Sequence, residues 1–272
     1  MATAGRVRAG TTVDDVYAAL RERIIDGTYQ PGLRMSQEQL ATDFEVSRTP
    51  LREALQRLES DGLVVAYANR GMHVAPIVNS ETEQSYALRV LVEPPTIAAV
   101  SSKLTETDIA DMELLLDEMQ DHRAHSRRFQ EAHQRFHDVA LRRYPNYFRQ
   151  LIDQLHMRIY RHQRVYLSHQ RTPDDFIELD ADLVNAVKIG DSGQVRRIME
   201  FHLIDAAIGL VLDADPDHQF EALLVAMEGR QIAIAHHPDG RIDRPAEIRW
   251  TSGEQVDVPD RVTQNLILRP PY

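Results

Sequence analysis

Residues 35–58 read MSQEQLATDFEVSRTPLREALQRL, the pattern of two short helices set at an angle to each other. Ser36 and Gln39 have the spacing of a capping box, and Leu40, Ala41 and Phe44 make one apolar side of the short helix they open. Ser47 can cap a second helix, on which Leu51, Ala54, Leu55 and Leu58 recur at helical spacing and face inward. That register leaves Arg48, Thr49 and Arg52 outward at the start of the second helix. Two permanently charged guanidinium forks and a hydroxyl in that place are groups that read a DNA major groove and anchor phosphates. Pro50 is tolerated there because first-turn N–H groups have no intrahelical partner. A merely solvated face carrying Arg48, Arg52 and Arg57 is the alternative.

Upstream, Val16, Leu20 and Ile24 mark an amphipathic helix that starts at Thr12 and ends at Gly27, and Pro31-Gly32 turns the chain into the helix pair. Residues 1–11 read as a disordered tail. Downstream, Asp61-Gly62 stops the second helix. Leu63–Tyr67 and Met72–Ala75 then read as strands around Ala68-Asn69-Arg70-Gly71, a wing hairpin. The blocks G-x-x-x-PG, LA, SRTPLREAL, LE-x-DGL and RG-x-x-V follow in order between Ile24 and Ile77, and in this the chain resembles the N-terminal domain of the GntR family of bacterial transcription regulators. The resemblance implies a winged helix-turn-helix over residues 12–76. It places DNA contacts on Ser47, Arg48, Thr49 and Arg52 of the recognition helix, and on Arg70 and Gly71 at the wing tip.

At 272 residues the chain is too long for one winged helix, so a second core is expected. Its 31 basic and 42 acidic residues give a net charge of −11, which argues against a protein that coats nucleic acid diffusely. Residues 1–78 carry 9 basic and 10 acidic side chains, so DNA binding has to rest on a local cluster of arginines and be sensitive to salt. With no cysteine, disulfides and thiolate metal sites are excluded. No apolar run is long enough to span a membrane and no signal peptide opens the chain, so the expected location is cytoplasmic.

Residues 77–79 read as a linker, because strand periodicity gives way there to that of long helices, and Ser80 with Glu83 forms another capping-box pattern. Residues 80–214 read as an all-helical bundle with helices near 81–102, 106–122, 127–143, 147–170, 174–188 and 192–212. Pro94 and Pro95 fall inside the first of these and are expected to kink or break it.

His133 and His137 are four residues apart, so on a helix they leave one face together and can share a metal ion; such pairs also arise by chance. R-x-x-x-E at Arg89–Glu93, FH at Phe136-His137, the run ending at Gly190-Asp191 and M-E-x-H-L at Met199–Leu203 resemble the FCD effector domain of one GntR branch. That resemblance implies four ligands to one cation at His133, His137, Asp180 and His202. His133 stands where the family has Asp, and Asp180 where it has His, so three imidazoles and one carboxylate survive with the carboxylate on another helix. Such a set suits a divalent transition metal, Zn first, with Ni, Mn or Fe as alternatives, and leaves room for a small carboxylate or sugar-acid effector. A decayed site is the rival explanation. Arg89 matches the arginine that meets an effector carboxylate; an ion pair with Glu93 is its alternative. Arg158, Arg161 and Arg164 share a helix that could also line the pocket.

Residues 215–272, beyond the resemblance, read as a small β-rich extension. Strands are expected at Gln231–Ala235, Ile248–Trp250, Val256–Val258 and Leu266–Leu268, with turns at Pro238-Asp239-Gly240 and Ser252-Gly253. His236 and His237 beside Asp239 fit the turn better than a second metal site. The fold expected is thus mainly α: an N-terminal winged helix-turn-helix, a C-terminal FCD-type bundle and a β-rich extension. The function the resemblance implies is that of a homodimeric regulator, not an enzyme, that binds an inverted-repeat operator in double-stranded DNA, without membrane partners, and most commonly acts as a repressor. A metal-dependent enzyme using the three-His, one-Asp site, or a regulator whose helical domain only assembles the dimer, are the alternatives.

Overall fold

The computed structural model describes residues 12–123, 126–166, 174–243, 247–251 and 266–267. The tail 1–11, residues 167–170 at the end of the helix expected near 147–170, the Ser252-Gly253 turn and the Val256–Val258 strand lie outside them. By its contacts the chain divides into two units: residues up to Val78 together with Tyr160–Val165, and Asn79–Ile159 together with the residues from Tyr166 on.

The first unit opens with α1 (Val13–Ile25), capped by Thr12 in a full capping box with Asp15. A short strand β1 (Arg34–Met35), unforeseen in the sequence, leads to α2 (Gln37–Asp43) and α3 (Arg48–Ser60). Ser36 accepts from the Gln39 amide at 3.4 Å, while Ser47 occupies the N-cap of α3 without a side-chain hydrogen bond. The hairpin is β2 (Val64–Tyr67) and β3 (Gly71–Val74), and β1 adds to its far side, giving the antiparallel order β1-β3-β2. Val16, Leu20 and Ile24 of α1 close over Leu51, Ala54, Leu55 and Leu58 of α3, with Leu40, Phe44, Leu63 and Val74 completing one buried core. The face of α3 that the hydrophobic effect takes inward is the one its periodicity marks.

The second unit comprises α4 (Asn79–Val100), a single 3-10 turn (Ser101–Lys103), α5 (Glu106–Asp121), α6 (Ser126–Leu141), α7 (Asn146–Tyr166), α8 (Asp174–Ile189), α9 (Ser192–Ala214) and α10 (Ala222–Gly229), then strands β4 (Ile232–Ile234), β5 (Glu247–Trp250) and β6 (Leu266–Ile267). Part of α7 groups with the first unit, as given above. The expected break in α4 and the expected capping box at Ser80 do not occur. Helix α4 runs through Pro94 and Pro95 without a break, because it packs along α9, α10 and α6, and burial of Val90, Pro94 and Ile97 outweighs the lost backbone donors. Glu83 does not close a capping box with Ser80. Its buried carboxylate instead accepts the Glu221 and Leu223 amides at 2.8 and 3.0 Å and meets His218 Nε2 at 2.9 Å, so it caps the start of α10.

The extension is β-rich only in part. Its sheet is antiparallel in the order β4-β5-β6, but α10 precedes it, and Phe220, Leu223, Met227, Ile232, Ile242 and Ile248 belong to the same core as the bundle. Gly240 is required at its turn: its φ is +88° and a Cβ there would lie 2.5 Å from the Phe220 carbonyl oxygen. Helix α9 explains why the extension is needed, since apolar side chains leave it in all directions and such a helix has to be covered all round. Glu200 of α9, buried, accepts Arg230 at 2.8 and 3.1 Å and the Trp250 indole N–H at 2.7 Å, both from the extension. Glu200→Gln leaves Arg230 without its full charge partner, and the expected cost is on the order of 3 kcal/mol. A thermal melt should then shift down by roughly 5–10 °C; an unchanged melt would show that the extension does not brace α9 through this group.

Candidate metal centre and nucleic-acid interface

Three helices of the second unit bring four side chains to one point. His133 and His137 leave the inward face of α6 beside the buried Phe129, Ala132 and Phe136; Asp180 comes from α8 and His202 from α9. One ligand atom from each lies within 4.8 Å of all the others. His137 Nε2 is 2.9 Å from His133 Nε2, and Asp180 stands 3.4 Å from His133, 3.7 Å from His137 and 3.8 Å from His202. Asp180 is 1% exposed, and its Oδ2 is buried without a hydrogen-bond partner. A lone carboxylate in such a place is costly, and burial pushes its pKa well above the ordinary value. Burial, joined by the neighbouring imidazoles and Arg89, pushes His133 and His137 well below theirs, so their rings are neutral and their lone pairs available. An orphaned carboxylate oxygen facing converging neutral imidazoles is a donor set that fits a divalent transition metal. The exchange of His and Asp between positions 133 and 180 leaves that convergence intact.

Next to these ligands sits a buried ion cluster. Arg89 of α4 is bidentate on Glu93, its Nη2 donating to Oε2 at 3.2 Å and its Nε to Oε1, and lies 5.3 Å from the Tyr86 ring centroid. Burial pushes the Glu93 carboxyl up, but Arg89 and His156 outweigh it and hold the pKa at about 2. His156 of α7, 3.6 Å from Glu93, is part of this cluster and sequence reasoning missed it; the signal was its place between Ile152, Leu155 and Ile159 on the inward face of the helix. Arg158 is exposed, Arg161 falls in the first unit, and the Arg164 side chain lies outside the described residues.

In the first unit, Ser47, Arg48, Thr49 and Arg52 are all exposed on the first turns of α3, directly over the buried Leu51 and Leu55. Arg70 and Gly71 are exposed at the wing turn, where Asn69 and Gly71 take φ of +61° and +80°. A rigid helix therefore presents two guanidinium groups and two hydroxyls, and the hairpin a third guanidinium.

The family model for bacterial regulatory proteins of the gntR family matches residues 12–74, and that for the FCD domain matches residues 84–205. The chain is 33% identical over 102 residues to the uncharacterized HTH-type transcriptional regulator YdhC of Bacillus subtilis (strain 168), covering 38% of this chain and 46% of the relative. It is 25% identical over 191 residues to the HTH-type transcriptional repressor RspR of Escherichia coli (strain K12), covering 69% of this chain and 84% of that one. The chain spans about half the length of several curated relatives it matches, 46%, 39% and 57% for three of them. Among solved structures, E. coli McbR/YncC superposes with a TM-score of 0.66 at 21% identity, over 76% of this chain and 100% of that one, a likeness of fold.

Proposed function

We propose that this chain, which belongs to the GntR family of bacterial regulatory proteins and carries an FCD domain, is a DNA-binding transcription regulator whose operator binding is controlled by a small organic acid at a metal site in the helical unit. The observation that carries the DNA-binding part is the exposed start of α3, where Ser47, Arg48, Thr49 and Arg52 stand on a buried apolar face. Action on DNA places the protein in the cytoplasm, and no helix among the described residues is long and apolar enough to cross a membrane. A homodimer suits this reading, because two recognition helices address the halves of an inverted repeat while one alone binds weakly. The relative named a repressor supplies the expected mode, repression relieved by the acid.

His133, His137, Asp180 and His202 would hold the metal, most suitably Zn, with Ni, Mn or Fe compatible with the same donors. When bound, the metal supplies a Lewis-acidic centre that attracts a carboxylate. Arg89 is the second anchor, and because Glu93 already occupies its guanidinium, an incoming acid has to compete with that carboxylate. Exchange of Glu93 for the acid would loosen α4 from α7, where Glu93 meets His156. An acid that binds one arrangement of these helices more tightly than the other shifts the population toward it, and only that difference in affinity can act on the operator.

A duplex selected from a randomised library, then tested by fluorescence anisotropy against the zinc-loaded protein, checks both parts. The selected sequence should be an inverted repeat, and from a panel of hydroxy and sugar acids at least one should weaken binding about tenfold, a coupling of about 1.4 kcal/mol. The same acid should have no effect after chelation. If no acid changes DNA affinity in either form, sensing is excluded and the helical unit serves assembly alone.

A further inference from the structure

Residues 12–78 carry seven arginines and no lysine. Three of the seven are engaged. Arg57 pairs with Asp14 and lies 4.3 Å from the Tyr17 ring centroid; Arg23 donates to the Tyr29 hydroxyl at 3.0 Å and stacks 4.5 Å from Phe44; Arg21 acts electrostatically on Tyr17. Arg34, Arg48, Arg52 and Arg70 have no ion pair, side-chain hydrogen bond or ring partner among the described residues, and all four are exposed. Three of these are the recognition-helix and wing positions already described. The fourth, Arg34, has no role in the reading so far.

We propose that Arg34 is a further DNA-backbone contact, holding a phosphate beside the wing tip. The register of the sheet places it there. Arg34 pairs with His73 and Met35 with Met72, and because Met35 is buried, alternation along β1 turns Arg34 to the outer face. The next outward position of β3 is Gly71, paired with Tyr67 at the end of the hairpin. Gly71 has no side chain, and the Arg34 Nε lies 4.0 Å from the point a Cβ there would occupy, so the guanidinium reaches the turn that carries Arg70. The rest of that face holds the half-exposed Tyr67 ring, set edge-on to His73 at 5.3 Å between centroids, and Val65; it contributes no carboxylate.

The charge balance gives this arginine weight. Residues 1–78 carry 9 basic and 10 acidic side chains, so this stretch has no net positive charge to draw DNA in, and its affinity has to come from cations left without an internal partner. Arg34 is one of four such arginines among the described residues. Its contact is to phosphate rather than to a base edge, because it sits on a sheet face beside the wing and not on the helix that reads the groove. It should therefore raise affinity for every sequence alike.

The inference rests on the DNA-binding reading, and one experiment separates the two. A fluorescein-labelled 30-bp duplex of mixed sequence is titrated with the full-length protein at several KCl concentrations, with melting temperatures recorded alongside. For Arg34→Ala the dissociation constant should rise roughly 3–10-fold at physiological salt, and the slope of log K against log salt should fall by about 1. Arg34→Lys should retain most of the slope, and Lys103→Ala, an exposed cation of the other unit, should leave it unchanged. An Arg34→Ala slope equal to that of the wild type, with or without a lowered melting temperature, overturns the assignment. A wild-type protein that binds no duplex overturns the DNA-binding reading and this inference together.

Discussion

Chelation of the zinc-loaded protein is expected to lower its melting temperature by roughly 5–10 °C, and His137→Ala is expected to abolish that response. The four ligands come from α6, α8 and α9, so the site exists only in the folded chain, and a metal that binds it acts on stability by mass action. At a free concentration 100 times the dissociation constant the gain is about 2.7 kcal/mol. Elemental analysis should find about one transition metal per chain in the wild type and none in His137→Ala. The pH dependence follows from the ligands. Burial pushes Asp180 up, so without metal its carboxyl is protonated over a range where an ordinary one is not, whereas His133 and His137 are pushed down and already neutral. Metal binding then displaces the Asp180 proton, and affinity rises with pH as long as pH stays below the raised value. Calorimetry in two buffers of different ionisation enthalpy counts that proton. A melting temperature indifferent to zinc, nickel, manganese and chelator would show that the exchanged His133 and Asp180 no longer make a site.

Arg48→Ala and Arg52→Ala should each weaken binding to the selected operator by about 1–3 kcal/mol, roughly 5–150-fold, and relax the preference at the base each one reads. These guanidinium groups are exposed on α3, so their loss removes no core contact and the melting temperature should stay within about 1 °C. The signature differs from that of Arg34→Ala, where every sequence should suffer equally. Operator affinity unchanged at physiological salt in both recognition-helix variants would mean that α3 is not the reading helix.

Helix α3 was legible because its information is local. Leu51, Ala54, Leu55 and Leu58 repeat at the helical period, and the same period that buries them leaves Arg48 and Arg52 outside. The amphipathic helices α6 and α7 were legible for that reason too. Helix α10 was not: ALLVAMEG is short and apolar throughout, so it has no period by which to tell a helix from a strand. The reading of Pro94 and Pro95 as a break applied a local rule that holds for an isolated helix and yields inside α4, where neighbouring helices cover the same turns.

The sequence by itself determined the helix-turn-helix and wing of the first unit, the succession of long helices in the second, the inward and outward faces of α3, and the pairing of His133 with His137, since residues four apart on a helix have to share a face. The family resemblance named Asp180 and His202 as partners of that pair, and the tertiary structure brings all four within 4.8 Å; it also chose the Glu93 ion pair for Arg89, and it alone decided that Glu83 and Glu200 bind the extension. Strand pairing decided the place of Arg34, because a two-residue strand carries no periodicity and only its register against β3 brings it to Gly71. The division follows the range of the forces: backbone geometry and side-chain period act over a few residues, whereas ligand convergence and ion pairing depend on which distant segments the burial of apolar surface brings together.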